Sequence, residues 1–470
     1  MSASFVPVLS LVAAVGVASK WITPHLWHIG IFTGYNGWYF TSTVIRCCIA
    51  ILEKTLTMLN PSIRFENGAL VCDSVSLAEI ARSVGTPVYV YSLKRALGNF
   101  RAIRTAFEQN GLDAHIHYSA KANGNLDLLR TLIMDGAGID AVSGGEIFCA
   151  MKAGAQPENI VFAGVGKTPA DLRYAVEQGI GWFNVENAAE CLYLNTYAAE
   201  FGRAVRVSLR LNPNVAAKTH PHIATGHGGA KFGLSADVVD DLLTHADRCP
   251  HLRFEGIHVH IGSQLHEVDE TVQAVQIAVN IAKLHPSVNT IDIGGGFPIA
   301  YRNDDELPPA NAFAAALAPV LKGYQVILEP GRSIVADAGV LITSVLYTKS
   351  HDDQTFVIVD AGMTELIRPM LYESHHEIVP LFKRDEELKP VTVVGPICES
   401  TDVFRRDVSL PNVVEGEPLA ILDAGAYGMV MASNYNARPR PAEVVVSADG
   451  ESWRISRRRE TWDDLIALES

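Results

Sequence analysis

Eight short apolar or β-branched runs, each followed by a turn and an amphipathic segment, constrain the fold of this chain more than any other feature. The runs lie at residues 115–119, 138–142, 160–163, 182–185, 206–211, 254–259, 290–293 and 325–328. Strands that alternate with helices run parallel and are joined by right-handed crossovers. Eight such units predict a TIM-like (β/α)8 barrel within an α/β fold, a domain that usually takes about 250 residues.

The pattern changes after Gly339, where helical periodicity nearly disappears. Short strands separated by turns are predicted at residues 340–348, 355–359, 391–394, 418–422 and 443–446. This pattern is typical of an antiparallel β domain, which the strands between Ile63 and Tyr91 are expected to join. The predicted domains are an N-terminal extension (1–57), N-terminal strands (58–92), the barrel (93–335) and a C-terminal β domain (336–470).

The extension differs from the rest of the chain. Its apolar run, residues 5–19, is shorter than the roughly 20 residues of a membrane span. No basic residue precedes Lys20, and the segment lacks the arginines of a transit peptide. Three interpretations remain open: a start codon assigned upstream of Met58, a membrane-associated leader, or a lineage-specific extension.

Composition and charge favour small-molecule chemistry. The 470 residues carry a formal net charge of -14, which argues against nucleic acid or an anionic membrane surface as a partner of the catalytic part. The seven cysteines are scattered and show no zinc-ligand spacing, so we expect a reducing, cytoplasmic setting and no metal site.

Notable residues follow the predicted strands, at the end of a barrel where active sites form. Lys121 follows the first run, Arg210 and Asn212 end the fifth, and His258 and His260 end the sixth. Glycines follow the seventh run, and Glu329-Pro330-Gly331-Arg332 follows the eighth. This distribution predicts a functional site at the carboxyl ends of the strands.

Lys121 is of interest only if its amine can lose a proton. Burial at the barrel mouth disfavours the ammonium form, and a neutral amine attacks an aldehyde to form a Schiff base. A solvated surface lysine is the alternative. The residue type is the one that holds pyridoxal phosphate.

An anion site is predicted after the seventh and eighth runs. Gly294, Gly295 and Gly296 let the backbone approach a ligand, and this end of the barrel commonly binds phosphate. A tight barrel corner is the structural alternative for the glycines. Arg332 would supply a bidentate donor for a phosphate or a carboxylate, unless it forms an ordinary surface ion pair.

Glu329 and His260 complete the cofactor hypothesis. A carboxylate at the end of a buried strand needs a cationic partner, and the protonated pyridine nitrogen of pyridoxal phosphate is one. A protonated ring is a strong electron sink, as loss of CO2 from an amino acid requires. His260 would lie flat against that ring, although a core histidine is the alternative.

Together these motifs resemble the barrel-type, fold type III pyridoxal phosphate decarboxylases, which include ornithine, arginine and diaminopimelate decarboxylases. The four motifs are Tyr-Ser-Ala-Lys-Ala-Asn (118–123), His-Val-His-Ile-Gly-Ser-Gln (258–264), Gly-Gly-Gly-Phe-Pro (294–298) and Glu-Pro-Gly-Arg (329–332). The resemblance extends from about residue 63 to the end. It implies the barrel plus β-domain architecture of alanine racemase.

Several stretches resemble the diaminopimelate decarboxylases in particular. They lie at residues 210–213, 218–226, 231–234, 360–363, 366–372, 395–402 and 425–428, with Thr364-Glu365 as a departure where an Asn-Asp type pair is expected. This resemblance implies decarboxylation of meso-2,6-diaminopimelate to L-lysine and CO2, the last step of lysine biosynthesis. It also implies a homodimer with shared active sites.

The resemblance implies a role for each matching residue. Lys121 would carry the cofactor, and Cys398 would act as general acid, with His260 as the third catalytic residue. The cofactor would be bound by Lys121, His260, Ser263, Gly294, Gly295, Gly296, Glu329, Gly331, Arg332 and Tyr427. The substrate would be bound by Arg332, Arg368, Tyr372, Glu399 and Tyr427. Cys398 and Glu399 would serve the neighbouring subunit's lysine.

The far end of diaminopimelate carries both a carboxylate and an ammonium group, so its site needs both arginine and Glu399. A site for ornithine needs only an acidic group, which makes Arg368 and Tyr372 the discriminating pair. Three alternatives stay open: a decarboxylase of another basic amino acid, a non-catalytic pyridoxal phosphate-binding relative, and a racemase, which would need a second base facing the lysine.

Overall fold

The computed structural model describes residues 59–215, 225–226, 230–352 and 354–469, together with two short strands near the start. These strands, β1 (Thr33–Gly34) and β2 (Gly37–Trp38), form an antiparallel pair within a separate unit, Met1–Thr57. The apolar run at 5–19 lies outside the described residues, so the interpretations of the extension stay predictions. Among the helices of the described part, none has the length and apolarity to cross a membrane.

The second unit, Met58–Ser470, begins with a small antiparallel sheet that precedes the barrel. Its first elements are β3 (Ile63–Glu66), β4 (Ala69–Cys72), β5 (Val75–Ser76), α1 (Leu77–Val84), β6 (Val88–Ser92) and α2 (Leu93–Gln109).

A closed barrel of eight parallel strands follows, in which β14 pairs with β7 to complete the ring. Its elements are β7 (Ala114–Ser119), α3 (Leu126–Met134), β8 (Gly138–Ala141), α4 (Gly144–Ala153), β9 (Ile160–Phe162), α5 (Pro169–Gln178), β10 (Trp182–Val185), α6 (Ala188–Glu200), β11 (Val205–Arg210), α7 (Ala236–Thr244), β12 (Leu252–His258), α8 (Val268–Ala282), β13 (Thr290–Asp292), α9 (Ala310–Leu321), β14 (Gln325–Leu328) and α10 (Arg332–Val335). The predicted barrel is therefore confirmed, with every strand within two residues of its predicted bounds.

Short polar caps explain where several barrel helices begin. The side chains of Ser143, Thr168 and Asn187 each accept a hydrogen bond from a backbone N–H in the first turn of α4, α5 and α6. Such a bond satisfies one of the N–H groups that a helix start leaves unpaired. The strands can therefore pass into helices over short loops, which keeps the strand ends in place.

The C-terminal part is a sheet domain with little helix, as predicted, but its strands are not all antiparallel. Its elements are β15 (Gly339–His351), β16 (Gln354–Val359), α11 (Arg368–Tyr372), β17 (Ile378–Pro380), β18 (Lys389–Val394), β19 (Val403–Leu410), β20 (Pro418–Ile421), β21 (Ala442–Val446), β22 (Trp453–Arg457) and α12 (Trp462–Ile466). The pairs β6–β21 and β16–β18 are parallel, so the sheet is mixed.

The N-terminal strands divide between two sheets. β6 lies inside the large sheet, between β15 and β21, as the sequence suggested. β3, β4 and β5 instead form their own sheet, which a backbone hydrogen bond from Leu70 to Leu381 links to the C-terminal domain. Because β3, β4 and β5 pair with one another, β6 is the N-terminal strand that joins the larger sheet.

The two domains meet closely at Gly425. A side-chain Cβ at this position would lie 1.9 Å from the backbone oxygen of Val335 and 2.9 Å from the backbone nitrogen of Gly339. Both obstacles are backbone atoms, which cannot rotate away. Only glycine fits here, and the loop that carries Tyr427 depends on this approach.

We predict that Gly425→Ala destabilises the protein by roughly 1–3 kcal/mol, because the added methyl group forces the backbone apart. Gly98→Ala is the matched control, since Gly98 lies within α2 and its Cβ would meet nothing within 4 Å. Removing a helical glycine should stabilise by about 0.5–1 kcal/mol. Thermal unfolding midpoints that move in opposite directions would agree with this packing; equal midpoints for both variants would contradict it.

Candidate active site

Inward-facing side chains at the carboxyl ends of the barrel strands form a buried polar cluster. Asn184, on β10, donates to Asp292 Oδ2 at 3.0 Å and to Glu329 Oε1 at 2.8 Å. β10 is not a neighbour of β13 or β14 in the barrel, so these hydrogen bonds cross its interior. The alternation of side chains along each strand directs all three inward.

Glu329 carries the negative charge of this cluster. Burial alone would raise its pKa, but His258, whose Nε2 lies 3.4 Å from Glu329 Oε2, and Lys121 lower the pKa below its ordinary value. Burial and the Glu329 charge raise the pKa of Asp292 well above its ordinary value. The environment therefore favours the ionised form of Glu329 and the neutral form of Asp292.

The same side chains have the composition of a metal site. His258, Asp292 and Glu329 offer ligand atoms within 4.8 Å of one another. However, both oxygens of Asp292 accept N–H groups, from Asn184 and from the Gly294 backbone at 2.8 Å. Both oxygens of Asp292 are therefore already engaged by hydrogen bonds within the protein.

Lys121 lies on a short 3-10 turn, Ala120–Ala122, directly after β7. Its Nζ lies 2.7 Å from Asp140 Oδ2, and its side chain is 41% exposed. Burial lowers the pKa of the amine, but the carboxylates of Asp140 and Glu329 outweigh this and raise it above the ordinary value. The expected effect of burial is present, but in the protein without cofactor Asp140 on the adjacent strand stabilises the ammonium form.

His260 is neutral and fixed in one orientation. The backbone N–H of Gly295 donates to its Nδ1 at 3.2 Å, so that nitrogen carries no hydrogen. Burial, together with the charges of Arg210 and Lys121, lowers the pKa of His260 well below its ordinary value. The ring therefore presents an uncharged face to the cavity that it lines.

The three consecutive glycines after β13 make different contacts. The N–H groups of Gly294 and Gly295 bind Asp292 and His260, so they are committed within the protein. Gly296 lines the cavity at a φ of 99°, and a Cβ there would lie 2.7 Å from the Gly262 oxygen. Of the three, Gly296 is the residue with access to an anion.

Arg332 supplies the positive charge at this end of the cavity. Its Nε donates to Ser263 Oγ and its Nη1 to Tyr301 OH, both at 3.1 Å, and its Cζ lies 4.8 Å from the centre of the Tyr427 ring. Gly331 lines the same cavity. The buried guanidinium thus has neutral partners, which leave its charge for an anion.

Two adjoining cavities meet at Ser263, Arg332 and Tyr427, which line both. The first has a volume of about 450 Å³ and is also lined by Lys121 and Glu329, among others. The second has a volume of about 320 Å³ and is also lined by Gln264, His266 and Tyr301 of the barrel. The C-terminal domain contributes Arg368, Tyr372, Ser374, His375 and Met431.

Arg368 is a second buried guanidinium with neutral neighbours. Its Nη1 lies 2.9 Å from His376 Nε2, its Nη2 donates to Ser374 Oγ at 3.3 Å, and its Cζ lies 4.7 Å from the Tyr301 ring centre. Burial lowers its pKa. Burial also raises the pKa of the nearby Asp423 carboxyl well above its ordinary value, which favours the neutral acid.

Cys398 and Glu399 lie elsewhere, on an exposed loop of the C-terminal domain. The backbone N–H of Cys398 donates to Asn436 Oδ1 at 3.1 Å, and Glu399 Oε1 accepts from Tyr435 OH at 2.6 Å. Among the described residues that line the two cavities, neither is present. The chain's own cavity thus lacks the expected general acid.

Sequence reasoning missed several residues of the site. Asp140, Asn184 and Asp292 build the polar floor together with His258, which was noted only for its position after the sixth run, and Tyr301 bridges the two arginines. A usable signal was present, because each of the first four is a polar residue within an otherwise apolar strand end. The resembling stretch at 218–226 lies mostly outside the described residues.

The donor set fits pyridoxal phosphate. Arg332, Ser263 and the Gly296 backbone suit a phosphate, the ionised Glu329 suits a protonated pyridine nitrogen, and Lys121 is an amine in the same cavity. Two positions that line this cavity also require glycine. A Cβ at Gly296 would collide with the Gly262 backbone, and a Cβ at Gly331 would collide with Ser119.

We predict that Asp140→Asn lowers the pKa of Lys121 by about 1–3 units, because an opposing charge is lost while burial remains. In apoprotein, acetic anhydride labelling of Lys121 should then reach half-maximum at a lower pH, as read by mass spectrometry. Exposed Lys322 in the same digest is the internal control. An unchanged half-point at Lys121 would show that Asp140 does not stabilise the ammonium form.

Comparison with known proteins agrees with this geometry. Residues 95–336 match the family of the pyridoxal-binding domain of pyridoxal-dependent decarboxylases. Diaminopimelate decarboxylases of Aquifex aeolicus and Pseudomonas aeruginosa are each 42% identical, covering 88% and 86% of this chain and 98% of each relative. The structure of the Helicobacter pylori diaminopimelate decarboxylase complexed with L-lysine superposes with a TM-score of 0.79 at 38% identity, covering 83% of this chain and 98% of that one. The chain belongs to the diaminopimelate decarboxylases, a family of pyridoxal phosphate-dependent enzymes.

Proposed function

We propose that the chain converts meso-2,6-diaminopimelate to L-lysine and CO2, as the final step of lysine biosynthesis. The main structural support for this substrate is the pair of buried arginines, Arg332 and Arg368, whose described partners are all neutral. A buried cation without an anion is costly, so these groups favour a ligand that brings a carboxylate. The names of the relatives and the lysine complex of one of them support the same substrate.

Pyridoxal phosphate, when bound, supplies a ring that accepts the electron pair released as CO2 leaves. Lys121 would hold the cofactor through its amine, and Asp140 would accept a hydrogen bond from that amine before the cofactor binds. Glu329 would keep the ring nitrogen protonated, since its carboxylate stays ionised. His260 would provide a flat, uncharged surface against the ring.

The phosphate end would be bound by Ser263, Gly296, Gly331 and Arg332, with Tyr427 closing the site above the arginine. Tyr427 has a φ of 55°, and its backbone N–H donates to the Ala122 oxygen at 2.8 Å. This hydrogen bond ties the C-terminal domain to the turn that carries Lys121. Tyr427 also lines both the cavity proposed for the cofactor and the cavity proposed for the substrate.

The substrate would be oriented at its distal end. Arg368 and Tyr372 would bind the distal carboxylate, with Arg332 and Tyr427 at the junction of the cavities. Glu399 would bind the distal ammonium. A ligand with both charges at that end matches this pair of opposite signs, and ornithine, which lacks the second carboxylate, does not.

Cys398 would protonate the carbon that loses CO2, from its Sγ. Because Cys398 and Glu399 lie outside the cavities of their own chain, we propose that they act in the site of a partner subunit within a homodimer. The loop that supports them includes Asn436 and Ala437 at φ of 57° and 52°. Non-glycine residues rarely adopt this conformation, and such strain is common at functional sites.

We also propose that the catalytic part works in the cytoplasm. All five cysteines in the described part of the chain, Cys72, Cys149, Cys191, Cys249 and Cys398, are free thiols. Free thiols in this number suit a reducing compartment.

The substrate is tested by CO2 release from the purified protein with pyridoxal phosphate. We expect release from meso-diaminopimelate, little from ornithine, arginine or lysine, and none from Lys121→Ala. Arg368→Ala should lower kcat/KM for diaminopimelate roughly 10-fold or more, because a charge-assisted hydrogen bond is lost. Release from ornithine that Arg368→Ala leaves unchanged would favour a decarboxylase of another basic amino acid, and an absence of release despite cofactor absorbance would favour a non-catalytic relative.

The shared site is tested by mixing two impaired variants. Lys121→Ala and Cys398→Ala are each expected to form homodimers with little activity, the latter because a general acid contributes about 10²–10⁴-fold. After subunit exchange, half of the dimers would be mixed, and each would contain one intact site, so about a quarter of the wild-type activity should return. The control is each variant exchanged with itself. No recovery in the mixture would place both residues in one chain's site.

A further inference from the structure

Three arginines are buried near the site, and Arg368 and Arg332 differ from the third, Arg210, in the charge of their partners. Arg210 Nη1 lies 2.6 Å from Glu186 Oε1, so that guanidinium is neutralised within the protein. Arg368 is equally buried, yet its described hydrogen-bond partners are a histidine and a serine hydroxyl. Neutral acceptors orient a guanidinium without cancelling its charge.

His376 is the closer of these two acceptors, and its protonation is fixed by its other side. His376 Nδ1 lies 2.8 Å from the backbone oxygen of Leu422, which can only accept. Nδ1 therefore carries the hydrogen, and the lone pair of Nε2 faces Arg368 Nη1 at 2.9 Å. Burial and the charge of Arg368 lower the pKa of His376 well below its ordinary value, which keeps the ring neutral.

The scaffold around His376 is rigid. The residue precedes β17, which pairs with β20, and the Leu422 N–H donates back to the Glu377 oxygen at 2.8 Å. The imidazole also packs edge-on against Tyr301, with ring centres 5.5 Å apart. Tyr301 in turn faces Arg368, so the ring and the guanidinium share one wall.

The guanidinium keeps free hydrogens after these contacts. Nη1 and Nη2 each carry two hydrogens, and His376 and Ser374 each engage one nitrogen. A guanidinium has five N–H groups, and the Tyr301 hydroxyl engages a third N–H, so two remain for the oxygens of a carboxylate. The side chain also lines the second cavity, so a ligand there can reach it.

We infer that His376 is a positioning residue for substrate specificity, which acts only through Arg368 by aiming its guanidinium at a ligand carboxylate while leaving its charge intact. This inference rests on the proposed role of Arg368. An acidic residue at the same position would compete with the substrate for that charge. A neutral, tautomer-locked acceptor avoids this competition.

Two matched variants of the holoenzyme separate the two hydrogen bonds of His376. His376→Asn keeps a donor for the Leu422 oxygen and removes the acceptor for Arg368. His376→Gln places an amide oxygen near the Nε2 position and so restores the acceptor. We expect the Asn variant to raise KM for meso-diaminopimelate roughly 10-fold with a smaller change in kcat, and the Gln variant to recover most of the affinity.

Two inhibitors test whether His376 affects binding of the distal carboxylate in particular. L-lysine retains the distal carboxylate, and cadaverine lacks it. His376→Asn should raise the inhibition constant of lysine roughly 10-fold and change that of cadaverine less than about 2-fold. In an Arg368→Ala background, adding His376→Asn should cause no further loss, because a residue that acts through Arg368 has nothing left to position.

The outcomes distinguish this inference from the proposed function. If Arg368→Ala leaves lysine inhibition unchanged, the proposed substrate contact is wrong, and the role of His376 falls with it. If Arg368→Ala weakens inhibition by lysine, three results would overturn only the role of His376. His376→Asn could leave inhibition by lysine unchanged, weaken inhibition by lysine and by cadaverine alike, or add to the loss in the double variant. Should the Asn variant fail to fold, His376→Phe, which removes both hydrogen bonds of the imidazole, carries the same expectations for the two inhibitors.

Discussion

The ionised carboxylate of Glu329, buried at the carboxyl end of β14, is the group on which the rest of the site depends. A buried charge without partners costs several kcal/mol, and here Asn184 and His258 approach its two oxygens. These partners come from β10 and β12, across the barrel interior. The charge is therefore maintained only while the barrel is closed and in register, because a shift of one residue would turn each side chain outward.

The site is electrostatically divided as a result. Asp140 and Glu329 place negative charge beside Lys121. Arg332, where the two cavities meet, and Arg368, in the second cavity, supply positive charge that their partners do not neutralise. An amino-acid substrate carries both signs, so a cavity of this kind orients it before any chemistry begins.

The sequence predicts the parts of this protein that depend on local pattern. All eight barrel strands follow from apolar runs separated by helical segments, and Lys121, Glu329 and Arg332 follow from their position after strands. The partners of these residues do not follow, because they are remote in sequence. Asp140 lies 19 residues from Lys121, and Asn184 lies 145 residues from Glu329. The net pKa shift of Lys121 does not follow for the same reason: the effect of burial was predicted, but the neighbouring carboxylate that outweighs it was not.

The mixed C-terminal sheet and the three strands β17, β19 and β22 were also missed. β19 contains exposed charged residues, and β17 has only three residues, so neither shows a clear alternation. Strand direction within a sheet depends on how distant segments return to it, which no local pattern encodes. β6 illustrates this, since it pairs antiparallel to β15 on one side and parallel to β21 on the other.

The two domains contribute different parts of the site, and this division has a consequence for specificity. The barrel supplies the groups suited to the cofactor, whereas Arg368, Tyr372 and His376 belong to the C-terminal domain. The domains are joined at Gly425 and Tyr427 by backbone contacts and by a hydrogen bond from the Asn123 side chain to the Gly425 oxygen, all of them remote from α11 in sequence. Substitutions around α11 can therefore change which carboxylate is recognised without moving Lys121 or Glu329. Tyr301 is the exception, because it contacts both arginines from the barrel side, so a change there would alter the cofactor end and the substrate end together.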